Sequence, residues 1–155
     1  ILPLVALGSA LFHAGVSIVV LLVAKLVVHG YVPWTLLFLP MALLPLLIGT
    51  LGIAWVLAAL GVFIRDIGQI TSLLTTVLLF ISPVFYPISS LPAKYQQILL
   101  LNPLTFVIEE SRRIMFFGTV PDFPGFLLAT GVSLLVSWVG FWWFQRTRKG
   151  FADVL

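Results

Sequence analysis

The chain contains no cysteine, and only 8% of its residues are charged. The first absence excludes disulfides and thiolate metal sites. The second excludes an ordinary soluble domain, which carries about 25% charged residues. So few charges cannot cover a water-facing surface, and hydrophobic residues make up 61% of the chain. These 155 residues read as one compact integral membrane domain. The net charge is only +3, and no basic patch is interleaved with aromatics, so no nucleic-acid partner is expected. Catalytic machinery is missing too. There is no Gly-x-x-x-x-Gly-Lys-[Ser/Thr] phosphate loop, and the two histidines lack metal-ligand spacing. No nucleophile has a base at a recognisable spacing. The expectation is a chain without enzyme activity, cofactor or metal of its own.

What is present is long apolar sequence. A helix needs roughly 20 apolar residues to cross a bilayer. The charge-free runs predict spans over about 3–28, 36–63, 67–87 and 123–145. The run from Pro33 to Ile64 would make about 48 Å of helix at 1.5 Å per residue. That exceeds a hydrocarbon core of about 30 Å, so this span must tilt, protrude or bend, with Pro40 and Pro45 as the expected bends. Gly30-Tyr31-Val32-Pro33 reads as the turn before it. The chain begins at Ile1 without Met, a charged n-region or an Ala-x-Ala-like cleavage site, so no signal peptide is predicted. It reads as the C-terminal part of a longer protein, with Arg146, Arg148 and Lys149 after the last apolar segment.

Between the third and fourth spans, 91–118 holds two short apolar pieces broken at Asn102-Pro103. Asn102 suits an N-cap and Pro103 the first helical position, and Ser90 suits a cap for the first piece. Two arrangements fit: a hairpin that dips into the membrane and returns, or two helices lying flat at the interface. Irregular backbone at depth requires cover by protein or a water-filled cavity. Glu109, Glu110, Arg112 and Arg113 sit in the second piece. Glu109 can pair with Arg112 or Arg113, and Glu110 with Arg113. In a re-entrant helix these pairs would neutralise costly charges or form part of an outer gate. On a surface they would be solvated pairs of little energetic weight.

Four spans place both ends on one side. The basic tail then predicts a cytoplasmic C-terminus. Trp138, Trp142 and Trp143 near one end, and Tyr31 and Trp34 near the other, fit interfacial aromatic belts. On the third span Gly68, Ser72, Thr75, Leu79, Ser82 and Tyr86 share a helical face. That face reads either as the mildly polar wall of a conduit, with Phe85 and Tyr86 at its outer end, or as a helix-packing surface. Ser9, His13 and Ser17 on the first span are expected to pack against a neighbouring helix. Lys25 is expected to snorkel outward. Thr50, Ala54 and Ala58 read as a small-residue packing seam.

Arg65-Asp66-Ile67-Gly68-Gln69, Ser82-Pro83-Val84-Phe85-Tyr86-Pro87 and Leu101-Asn102-Pro103-Leu104 follow one another in order. Glu109 through Arg113 with Gly118, and the tail Phe151-Ala152-Asp153-Val154-Leu155, complete the series. Each is weak alone. Their order and spacing resemble the permease subunit of ABC type-2 exporters, in the branch that exports polysaccharides and polyol phosphates. The resemblance implies an all-α membrane fold with four transmembrane helices and a re-entrant helical hairpin, the C-terminal part of a six-span permease. It implies that Arg65 and Asp66 lie in a cytoplasmic loop. It implies that Ser72, Thr75, Ser82, Phe85 and Tyr86 line the substrate pathway. Asn102, Pro103, Glu109, Glu110, Arg112 and Arg113 would belong to an outer gate hairpin. The implied partners are a second permease copy, an ABC ATP-binding subunit that carries the ATP and Mg, membrane lipid and a lipid-linked glycan in the inner membrane. Export of a small hydrophobic drug or lipid, and a non-transporting structural subunit, are the competing readings.

Overall fold

A computed structural model of the chain describes residues 2–64, 66–100 and 102–148. Among them every regular element is helical. Helix α1 runs Leu2–His29, α2 Leu39–Phe63, α3 Ile67–Ile81, α4 Ala93–Leu100, α5 Pro103–Arg112 and α6 Phe123–Thr147. Short 3-10 turns occupy Trp34–Phe38 and Ile88–Ser90, and a π-helical turn, Arg113–Phe117, extends α5.

Among the described residues three helical stretches are long and apolar enough to cross a membrane: Pro3–Val28, Trp34–Phe63 and Phe123–Thr147. They match the first, second and fourth predicted spans. The second begins with a 3-10 turn, Trp34–Phe38, and α2 proper starts only at Leu39. Pro40 therefore lies in the first turn of α2, where no helical N–H bond is required. Pro45 lies inside α2 and is buried.

The predicted third span is shorter than its apolar run. Helix α3 stops at Ile81 after 15 residues. The cause is local: Pro83 drives Ser82 out of the helical region, to φ −77° and ψ 145°. At 1.5 Å per residue α3 is about 22 Å long, short of a full crossing. The helix also sits at the edge of the bundle, with no buried residue of its own.

Packing of α6 along α2 organises the rest. Gly52 and Gly140 bring the two backbones into direct contact. A Cβ on Gly52 would lie 2.6 Å from Ser137 Cα, and one on Gly140 would strike the Gly52 carbonyl. Gly49 faces Ser133 in the same seam. The close contact with α6 thus falls at Gly49 and Gly52 rather than at Thr50, Ala54 and Ala58. Thr50 and Ala58 are exposed, and the Thr50 hydroxyl donates to Leu46 O of its own helix. A second packing centre joins Leu39 and Ala42 of α2 to Ile114 and Met115, with Ile18 and Leu22 of α1 against it.

Overpacking a tight helical contact costs about 1–3 kcal/mol. Gly140→Val is expected to lower the detergent melting temperature by several degrees. Gly131→Val, on an α6 position with open space around it, is expected to leave it unchanged. Equal melting of the two variants would remove the backbone contact from this account.

Candidate functional site

Helix α5 is where the chain's polar chemistry collects. Asn102 precedes it in extended conformation and caps it, with Oδ1 accepting from Leu104 N at 3.0 Å. Pro103 follows in the first turn, as expected. The other amide arm, Nδ2, donates to Ser82 Oγ at 3.2 Å. Ser82 is buried and ends α3. One side chain thus joins the end of α3 to the start of α5. Asn102 also borders a cavity of about 220 Å³ whose walls include Pro45, Leu46 and Gly49 of α2 and Ala129 and Ser133 of α6. The break between α4 and α5 therefore lies beside the middle of the long helices rather than at their ends. Ser90 does not cap α4. The helix starts after Pro92, and Gln96 Nε2 donates to Leu91 O instead.

The charged residues pair at three-residue spacing. Glu109 Oε1 accepts from Arg112 Nη1 and from Ile88 N, the latter at 3.2 Å. Arg112 Nη2 donates to Pro83 O at 2.8 Å. Glu110 accepts from Arg113 Nη1 through Oε1 at 2.8 Å and from Asp122 N through Oε2 at 3.2 Å. The Glu110 side chain is only 5% exposed, whereas Arg113 is 47% exposed. Glu109 and Arg112 are near 22%. Only Glu110 is buried, so the loss of its partner would leave one carboxylate charge inside the protein, which is costly. The alternative pairing of Glu109 with Arg113 does not form.

At the far end of α5, Thr35 Oγ1 donates to Ile114 O at 2.9 Å, and Lys25 Nζ donates to Met115 O. Lys25 is buried, against the expectation that it snorkels. Its ammonium lies 5.3 Å from the Tyr31 ring centre and 5.5 Å from that of Phe116. The turn ends at Gly118, whose φ of 64° is left-handed and suits glycine. Sequence reasoning missed Thr35, since contacts 79 residues apart leave no local signature.

The predicted wall of α3 divides. Gly68, Ser72, Thr75 and Leu79 remain together on an exposed side. They lie roughly 90° round the helix from Ile67, Thr71 and Leu78, which meet the rest of the chain. Thr71, Thr75 and Thr76 each return their hydroxyl proton to the carbonyl four residues back, at 2.7–2.9 Å. Ser82 leaves that face because the helix has ended. Tyr86 folds back, its hydroxyl 3.4 Å from Phe80 O and Ile81 O, while Phe85 stays 74% exposed. Asp66 precedes α3 and is exposed. Arg65, Leu101 and the 151–155 tail motif lie outside the described residues. Ser9, His13 and Ser17 are exposed and face away from α2, with no helix packed on them among the described residues. No cluster of metal ligands occurs among the described residues.

A bundle of membrane-length helices held by glycine contacts and internally paired charges defines a helical integral membrane protein. The chain belongs to the ABC-2 type transporter family, whose model matches residues 1–116. It is 27% identical over 155 residues to the O-antigen export system permease protein RfbA of Myxococcus xanthus, covering 99% of this chain and 60% of that protein. It is 28% identical over 140 residues to the RfbA permease of Klebsiella pneumoniae, covering 86% and 52%. The polysialic acid transport protein KpsM of Escherichia coli is 29% identical over 129 residues, covering 83% and 47%. The chain thus spans about half to three-fifths of the length of these curated relatives.

The Asn102 joint is directly testable. Asn102→Ala removes a cap and a side-chain bond, each of about 1 kcal/mol. Asn102→Asp keeps the cap and gives up the donor to Ser82. Melting temperature should fall in the order wild type, Asp, Ala. An Ala variant as stable as wild type would show that the joint carries no weight.

Proposed function

We propose that the chain is part of the permease of an ATP-driven exporter that moves a lipid-linked polysaccharide outward across the bacterial cytoplasmic membrane. The observation that carries this reading is the alignment of 99% of the chain with a permease named for O-antigen export. A second set of relatives is named for polysialic acid transport, so the shared cargo class is a polysaccharide. An ATP-binding subunit, carrying ATP and Mg, and a second permease copy complete the proposed exporter.

In this reading α3 with the 82–87 segment makes a fourth crossing, the loop at Arg65-Asp66 is cytoplasmic, and 91–118 is a re-entrant hairpin at the outer gate. The position of Asn102 beside the middle of α2 and α6 supports re-entry over helices lying flat. The Ser72/Thr75 side of α3 is the proposed pathway wall, with Phe85 and Tyr86 at its outer end. Its exposure within this chain is compatible with that role. The back-bonded threonines keep their oxygen lone pairs available, so such a wall accepts hydrogen bonds weakly. Weak contact suits a repeating polymer, because firm binding at every sugar would stall it.

The test uses the full-length permease with its ATP-binding partner in a bacterium lacking its own exporter. Wild type should restore surface glycan. The Phe85→Ala/Tyr86→Ala variant, at equal abundance, should export several-fold less. Undiminished glycan in that variant would remove both aromatics from the pathway. Efflux of a small hydrophobic compound without glycan export would overturn the cargo class.

A further inference from the structure

Glu109 and Glu110 do more than balance arginines. Each carboxylate also accepts a backbone N–H from a segment outside α5. Glu109 takes Ile88 N from the connection before α4, and Glu110 takes Asp122 N from the start of α6. Such an N–H, once removed from water, needs an acceptor, and leaving it unmet costs about 1–3 kcal/mol. A guanidinium offers only donors and cannot take over that place. The polarity of the first pair is fixed from the other end as well. Arg112 Nη2 donates to the carbonyls of Pro83 and Val84, where a carboxylate would meet another acceptor.

We propose that Glu109 and Glu110 are positioning residues that tie α5 to the chain segments on either side of it, with the arginines serving to hold the carboxylates in place. An ordinary ion pair is indifferent to which residue carries which charge. Here exchange sets donor against donor at Ile88 and acceptor against acceptor at Pro83. The pair is therefore directional. Glu110 repeats the arrangement in a more buried setting, dividing its two oxygens between Arg113 and Asp122 N. Both flanks of α5 are thereby held to one helical turn.

The consequence for export rests on the transport reading above, but the tie itself does not. The experiment measures both in the full-length permease with its ATP-binding partner. The first readout is the fraction of detergent-extracted permease still folded after a heat challenge, which needs no cargo. The second is surface glycan per folded molecule. Glu109→Gln keeps an acceptor oxygen for Ile88 N and is expected to stay within about twofold of wild type in the heat challenge. Glu109→Ala leaves that N–H unmet and should lose about tenfold in folded fraction. The exchanged variant Glu109→Arg/Arg112→Glu should be no better than Ala. Glu110→Gln and Glu110→Ala should separate in the same order. Recovery of heat resistance by the exchange would overturn the proposal, since it would make the pair a simple ion pair. Gln proving as damaging as Ala would overturn it too. If heat resistance follows the expected order while even wild type exports no glycan, the positioning role stands and the transport reading falls.

Discussion

The backbone of α6 lies against the backbone of α2 at Gly140 and Gly52, and the other elements take their places from that contact. Lipid tails are as apolar as leucine, so no hydrophobic force gathers helices inside a bilayer. What remains is dispersion, which falls off within fractions of an ångström and rewards close approach. Two glycines permit an approach that any Cβ would block. With α2 and α6 fixed, Ala129 and Ser133 of α6 and Gly49 of α2 form one side of the mid-depth cavity. Asp122, at the head of α6, is brought to where Glu110 can accept its N–H.

The second constraint is that backbone breaks in an apolar setting must be answered from within the protein. Two breaks lie side by side, at Ser82-Pro83 and at Asn102, and a third lies at the far end of α5, where the π-helical turn closes. Each receives a specific side chain. Asn102 caps α5 and reaches Ser82, Arg112 takes the Pro83 carbonyl, and Thr35 takes the Ile114 carbonyl. Helix α5 is thus held at its start by one amide and at its end by Lys25, Thr35, the 83–88 connection and Asp122. Among the described residues, the side-chain hydrogen bond of helix α4 goes instead to the adjacent Leu91. The two halves of the broken segment are therefore unequal. One is built into the bundle, and the other lies along its outside.

Much of this was legible in the sequence, for identifiable reasons. Membrane-length helices need only a count of consecutive apolar residues, so α1, α2 and α6 were within reach. Asn102-Pro103 signalled a helix start by local chemistry, and the cap is there. Glu–Arg pairing at three-residue spacing was one of the expected geometries. The early end of α3 was written in Ser82-Pro83, but hydropathy alone carried the predicted span past it to about Pro87. The glycine seam was missed because Thr50, Ala54 and Ala58 repeat every four residues and look regular. The working positions, Gly49 and Gly52, are three residues apart and meet Ser133, Ser137 and Gly140 on another helix. Partnership across 80 or more residues has no local pattern.

Lys25 shows most clearly what a one-dimensional reading omits. Near the end of a membrane helix, a lysine is expected to reach for water, since its stem is flexible and its head is strongly hydrated. Here the route outward is exchanged for three favourable partners. The π-helical turn presents its last carbonyls, the negative end of a helical dipole, and Met115 O accepts the ammonium. Tyr31 and Phe116 add two ring faces within 6 Å, the range at which a cation is attracted to an aromatic quadrupole. All of these partners are supplied by the segments that the second packing centre holds together. The same apolar contacts of Ile114 and Met115 with α2 and α1 that exclude water from Lys25 also fix the carbonyl and ring that replace it. Burial and compensation come from one arrangement, which is why the charge is found inside.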